Sequence, residues 1–273
     1  MLRNRIAVLY SEVSLQVREA FGPRLADIIG TDDPIALKEQ YRRLTGIAEA
    51  DAVEKQQQNL LEGRMAANIL EVFQQIRDGD VPDRPLWFEW NVWRALSMLD
   101  DGDIRNNFHM DRFGYPTTGA SGRQSDIVCE YAGFHLAVEV TLSFGARQYD
   151  TEAEPVHRHV GRLQREKRDG SDDRPVFGLF IAERLHRSVV THFFTLHRVP
   201  VREFGGPVSI VPLELEDFIP MVQAAARRLP IRSEQILAFF REARRLAEEA
   251  PDEEAWHEGV RELASCWPLA VGG

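Results

Sequence analysis

The hydrophobic rhythm of the chain changes near residue 80. Before it, apolar residues recur at helical spacing. Leu15, Val17, Phe21, Leu25, Ile28 and Ile29 form one stripe. A break follows at residues 30–34, where Asp33-Pro34 restarts a helix in the pattern of a cap followed by proline. Between residues 52 and 76, Val53, Leu60, Leu61, Ala66, Ala67, Ile69, Leu70 and Phe73 fall near a period of 3.6, which predicts one long amphipathic helix. The polar, proline-rich segment 78–85 then predicts a domain boundary. It separates a helical N-terminal region, 1–80, from a second domain, 86–273.

The second part alternates. Residues 86–99 predict an amphipathic helix whose Trp87, Trp90 and Trp93 share a face and pack into a core. Residues 127–131 and 135–142 are β-branched and short, and Tyr131-Ala132-Gly133-Phe134 between them predicts a hairpin turn. A helix is expected over 155–168, with Glu154 as cap and Pro155 as its first residue. The expectation continues with a strand at 176–181, a helix at 185–196, a strand at 208–211 and helices at 215–228, 233–249 and 252–267. Strands alternating with helices mean an α/β fold, here a central mixed sheet flanked by helices and preceded by the helical region.

Composition narrows the function classes. The 273 residues include only two cysteines, Cys129 and Cys266, with no metal-binding spacing. That excludes a disulfide framework and a thiolate zinc site, and it fits a reducing, cytoplasmic setting. No apolar run reaches membrane-spanning length and no signal-peptide core is expected. The formal charge of −10 disfavours tight, sequence-blind binding to a polyanion, although a local basic face remains compatible with it.

Candidate chemistry lies in the predicted hairpin. Asp126 begins one strand and Glu139 lies inside the next, within the apolar run Leu136-Ala137-Val138-Glu139-Val140-Thr141-Leu142. A carboxylate in such a strand is costly unless paired or bound to a cation. Two carboxylates at one end of a hairpin repel, and a divalent ion relieves that repulsion. Oxygen ligands at this density suit Mg²⁺, with Mn²⁺ as a substitute. Glu89, in the tryptophan-bearing helix, is either a surface glutamate or a third acid. The Gly/Ser/Thr-rich loop before Asp126 is either a plain turn or a backbone that approaches phosphate, with Arg123 as its cation.

The segment from Thr117 to Val160 resembles the catalytic segment of AlwI-type restriction endonucleases. The resemblance rests on Asp126-Ile127, Glu139-Val140-Thr141-Leu142, Arg147-Gln148, and Glu152 through Pro155-Val156 to His159. It implies a variant PD-(D/E)XK nuclease that hydrolyses DNA phosphodiester bonds with Mg²⁺. It also implies residue roles. Asp126, Glu139 and the Val140 carbonyl hold metal, Glu152 and His159 complete the site, and Glu89 is the upstream acid. With a helix starting at Pro155, Glu152 would fold back toward the metal. The lysine of the general nuclease pattern is Thr141 here, and either His159 or a second metal at Glu152 would supply its function.

Beside such a site, the stripe Arg158, Arg162, Arg165, Lys167 and Arg168 is expected to touch the DNA backbone, which positions a duplex without specifying sequence. Residues 1–80 carry no base-reading motif. The expectation is therefore a cleavage subunit of type IIS or nicking kind, acting on double-stranded DNA. Specificity would come from a recognition partner, and a double-strand break from that partner or a homodimer. The alternative is a catalytically silent DNA-binding or assembly subunit with a nuclease fold, supported by Thr141 and the net acidity.

Overall fold

A computed structural model describes residues 2–15, 17–19, 30–31, 33–100, 102–111, 113–119 and 124–268. Arg123, and most of the stripe expected from Leu15 to Ile29, lie outside the described residues. The described helices and strands are, in chain order, α1 (Leu2–Glu12), α2 (Pro34–Leu61), α3 (Ala66–Asp78), α4 (Arg84–Leu99), β1 (Asp103–Asn106), β2 (Phe108–Met110), β3 (Pro116–Gly119), β4 (Ile127–Glu130), β5 (His135–Thr141), α5 (Ala146–Gln148), a π turn (Tyr149–Ala153), α6 (Glu154–Asp169), β6 (Val176–Ala182), α7 (Arg187–Arg198), a 3-10 turn (Arg202–Phe204), β7 (Ser209–Glu214), α8 (Leu215–Ala226), α9 (Ser233–Glu249) and α10 (Glu253–Cys266). No helix among the described residues is long and apolar enough to cross a membrane.

The chain forms two compact units. One comprises residues 1–59 and 108–119, the other residues 60–107 and 120–273. This division differs from the expected one at 80. The long helix predicted over 52–76 is interrupted at residues 62–65, where Gly63 takes a φ of +68°, and α3 beyond it belongs with the second unit. In the first unit, α1 and α2 bury Ile6, Leu37 and Leu44, with Leu2, Leu9, Tyr10, Tyr41 and Ile47 packed around them. The restart at Asp33-Pro34 is present: Asp33 Oδ1 accepts from the Ile35 N–H at 2.9 Å. The hairpin β2–β3 completes this unit, and the Gln56 amide donates to the Gly114 carbonyl at 2.9 Å beside it.

The second unit is built on a five-stranded sheet in the order β1-β4-β5-β6-β7. β1, β4 and β5 pair antiparallel, whereas β5, β6 and β7 run parallel. The parallel strands are buried along almost their whole length, which is why they are nearly continuous apolar runs. One face carries Leu136, Leu179 and Leu213 against α4, α8 and α9. The opposite face receives α6 and α7: Phe180 meets Phe193 edge-on, and Gly178 lets Val160 approach so closely that a Cβ there would lie 2.8 Å from its Cγ2. α4 is buried over most of its surface, with Trp90 and Trp93 in the core as expected and Trp93 Nε1 donating to the Ile104 carbonyl at 3.2 Å. Asp83 caps it, accepting from the Leu86 N–H at 3.3 Å.

Candidate active site

The β4–β5 pairing places the two candidate acids together. Ile127 stands opposite Val138, so continuing the register by one residue sets Asp126 opposite Glu139. Side chains alternate across a sheet, so Asp126, Val128 and Glu130 share a face with Ala137, Glu139 and Thr141. Asp126 Oδ2 also accepts the Val140 N–H at 2.8 Å, which ties the two strands at this end.

α6 lies across this face, as a crossover between parallel β5 and β6 requires. His159 Nδ1 is 2.8 Å from Glu139 Oε1. Glu152 Oε1 accepts from Thr141 Oγ1 at 3.2 Å and from Ser143 Oγ at 3.0 Å. These contacts correct one expectation. The helix does not begin at Pro155 with Glu154 as a cap; helical backbone is continuous from Ala146, and Glu152 sits within the π turn Tyr149–Ala153. Proline has no N–H to contribute, and the widened turn just before it lets the chain pass through Pro155 without a break. Glu152 therefore reaches the sheet from inside a helix rather than from a loop. Glu152 and His159, seven residues apart on this helix, contact different positions on β5.

Gln148 completes the scaffold. Its side chain is buried, donates to the carbonyls of Ser143 (2.7 Å) and Arg184 (2.8 Å), and accepts from the His186 N–H (2.8 Å). Thr141, Ser143 and Gln148 had no assigned positioning role from sequence. The Arg147-Gln148 pair was the one available signal, and nothing in its pattern disclosed the fixed loop.

The acids perturb one another. Asp126 holds its proton well above the usual carboxylate range, first through burial, then through the charges of Glu139 and Glu89; the Val140 N–H opposes this and Glu152 adds to it. Glu89, half-buried on α4, is pushed up to about 7 by burial, by Glu139 and by Asp83. Glu89 thus lies within electrostatic reach of Glu139 and Asp126.

An all-oxygen set of repelling, partly buried carboxylates fits a hard divalent cation. The acids are not drawn into a closed cage. Among the described residues, the three carboxylates with oxygens mutually within 4.8 Å are Glu214, Glu216 and Asp217. That group is held by Arg261, which pairs with Glu216 at 2.9 Å and Asp217 at 3.1 Å.

Other expected residues fall in different places. An open groove of about 530 Å³ adjoins the acids and is lined by His159, Arg162 and Lys167 of α6 together with Arg105, Asn107 and Gln124. Arg158 instead pairs with Glu154 at 3.4 Å, Arg165 lies 3.8 Å from Glu203, and Arg168 donates to the Phe204 carbonyl at 3.3 Å. His157 turns away from the acids and packs on His192 and Phe204. His186 caps α7, and His197 is buried between Ser209 and the Ile210 carbonyl because the apolar face of α7 rests on β7.

A family model described as AlwI restriction endonuclease matches residues 37–221, more than half of the chain. Among solved structures, the small subunit of the heterodimeric restriction endonuclease R.BspD6I is similar with a TM-score of 0.58 and 22% identity, over 72% of this chain and 97% of that one. At that identity the likeness concerns the fold. No curated protein matches the sequence.

Proposed function

The chain belongs to the AlwI restriction endonuclease family, and from that premise we propose that it is a divalent-metal-dependent endonuclease hydrolysing DNA phosphodiester bonds. The observation that carries this reading is Asp126 opposite Glu139, with the protons of Asp126 and Glu89 held first by burial and then by the charge of Glu139. Asp126, Glu139 and the Val140 carbonyl would hold Mg²⁺, or Mn²⁺ in its place, with Glu152 at the edge of the site. Bound there, the ion would activate water and neutralise charge building on the scissile phosphate.

The chain's own residues have distinct tasks. His159, with Nδ1 committed to Glu139, orients that acid and exchanges protons through Nε2. Thr141 and Ser143 fix Glu152 where the general pattern has a lysine. Arg162 faces incoming backbone phosphate from the groove. One site of this kind cuts one strand. The heterodimeric character of the structural relative supports the further reading of a cleavage subunit that takes its specificity from a partner chain.

A plasmid-nicking assay tests the proposal. Supercoiled DNA should be nicked only with Mg²⁺ or Mn²⁺, and sequence-selectively only when the partner chain is added. Folded Asp126→Ala and Glu139→Ala variants should be inactive. Cleavage in chelator, or by a folded Asp126→Ala variant, overturns the site. Inactivity of the complete pair in either metal would favour the silent-subunit reading, for which Thr141 is the specific support.

A further inference from the structure

We propose that Arg105 and Lys167 form a DNA-phosphate position in the groove beside the acids, and that Glu130 occupies it as a removable counter-charge when DNA is absent. The inference rests on the reading of the chain as a DNA-acting protein and adds to it how the groove is regulated.

Three elements meet at one atom. Lys167 Nζ, from α6, lies 2.9 Å from Glu130 Oε1 on β4, and Arg105, from β1, donates to the same oxygen. All three residues line the groove that also contains His159 and Arg162. Glu130 lies four residues along β4 from Asp126, a run of about 13 Å at strand rise, so this position sits within a few nucleotides of the proposed cutting site.

The lysine side chain is only 18% exposed and the glutamate 23%. A half-buried ammonium needs an anion, and leaving it unpaired is costly. The two cations hold Glu130 below the usual carboxylate range, so it is ionised at neutral pH. A backbone phosphate oxygen carries the same charge and accepts the same hydrogen bonds. It can therefore take over both cations when Glu130 swings aside. Arg105 keeps a second acid, Asp103, at 3.4 Å, which helps hold it in place through the exchange. An occupied position lowers affinity for unspecific DNA, which suits a chain expected to take its target from a partner.

Fluorescence anisotropy with a labelled random duplex, in Ca²⁺ without cleavage, tests this across a salt series. Glu130→Gln should tighten binding about fivefold and steepen the logarithmic salt slope by about one. Lys167→Met should weaken binding, and the gain from Glu130→Gln should vanish in the Arg105→Met/Lys167→Met background. Glu166→Gln removes an equal charge from the same groove without touching the shared atom, and should change affinity less. Equal gains from Glu130→Gln and Glu166→Gln would reduce the effect to net charge and overturn the proposal. Unchanged or weaker binding by Glu130→Gln would make the cluster a structural staple and also overturn it. If that variant folds poorly, Lys167→Met decides: binding equal to the parent chain defeats the proposal. A chain that shows these binding changes but never cuts DNA would sink the nuclease reading and leave this one standing.

Discussion

Thr141 Oγ1 donates to Glu152 Oε1 across 3.2 Å, so the position two residues after the second acid holds a carboxylate in place through a hydroxyl. Ser143 adds a second hydroxyl bond to the same oxygen. Removing both should release Glu152 without removing its charge. Partners that orient a metal ligand are commonly worth about 10–100-fold in activity or metal affinity. We expect Thr141→Val/Ser143→Ala to lose cleavage by about that factor with little change in DNA binding. Single-turnover rates and anisotropy on the same preparation separate the two effects.

Asp126 and Glu139 repel in the metal-free protein. Asp126→Asn should therefore hold or raise thermal stability in chelator while abolishing the stabilisation that added Mn²⁺ is expected to give the parent chain. Thermal unfolding with and without the ion measures both. A Mn²⁺-dependent rise in Tm equal to that of the parent would remove Asp126 from the metal site.

Two partly buried acids and one buried histidine give the metal-free chain opposed pH slopes. Glu89 has its proton affinity raised from 4.5 to about 7, so its contribution to stability is complete below pH 4.5 and is lost as pH rises to 7. Asp126 acts in the same sense. His197, lowered from 6.5 to about 4 chiefly by burial, contributes fully above pH 6.5 and loses that contribution as pH falls toward 4. Over its whole window this is worth up to about 3 kcal/mol. Glu89→Gln should leave the His197 slope more exposed, giving a steeper fall in stability from pH 6.5 downward. Urea unfolding in chelator between pH 4.5 and 7.5 reads the slopes, and identical profiles for parent and variant would contradict the Glu89 assignment.

Gly178 is fixed by packing. A methyl group there meets Val160 at 2.8 Å and Ile210 at 2.9 Å. Gly178→Ala should cost about 1–3 kcal/mol, as overpacking typically does, and loosen α6 from the sheet. Urea unfolding checks the first effect, and slower cleavage by the folded fraction checks the second.

The sequence made legible those parts whose physics is local. The β4–β5 hairpin stands out because Tyr131-Ala132-Gly133-Phe134 closes two β-branched runs, and the Tyr131 N–H does bond the Phe134 carbonyl at 3.0 Å. The opposition of Asp126 and Glu139 follows from that hairpin alone. β1 was missed because Asp-Ile-Arg-Asn is an exposed edge strand with one buried residue, too polar for alternation to register. The helical setting of Glu152 was missed because Pro155 signals a helix start locally, whereas the hydroxyls that hold Glu152 belong to Thr141 at the end of β5 and Ser143 in the loop after it, outside any helical spacing. The burial of His197 is not legible for a similar reason: what buries it is β7, which helical spacing cannot reveal.

The π turn at Tyr149–Ala153 makes the chain unequally sensitive to a change in length. Before it, Gln148 is locked to its loop; after it, His159 and Lys167 are locked to the sheet. The turn holds one residue more than an α turn, and so absorbs a mismatch in phase between these two anchored segments. Losing one residue inside it would tighten the spiral and let both anchors keep their partners. Losing one between Val156 and Arg158 would rotate every later side chain by about 100° about the axis, carrying His159 off Glu139 and Lys167 off Glu130 together.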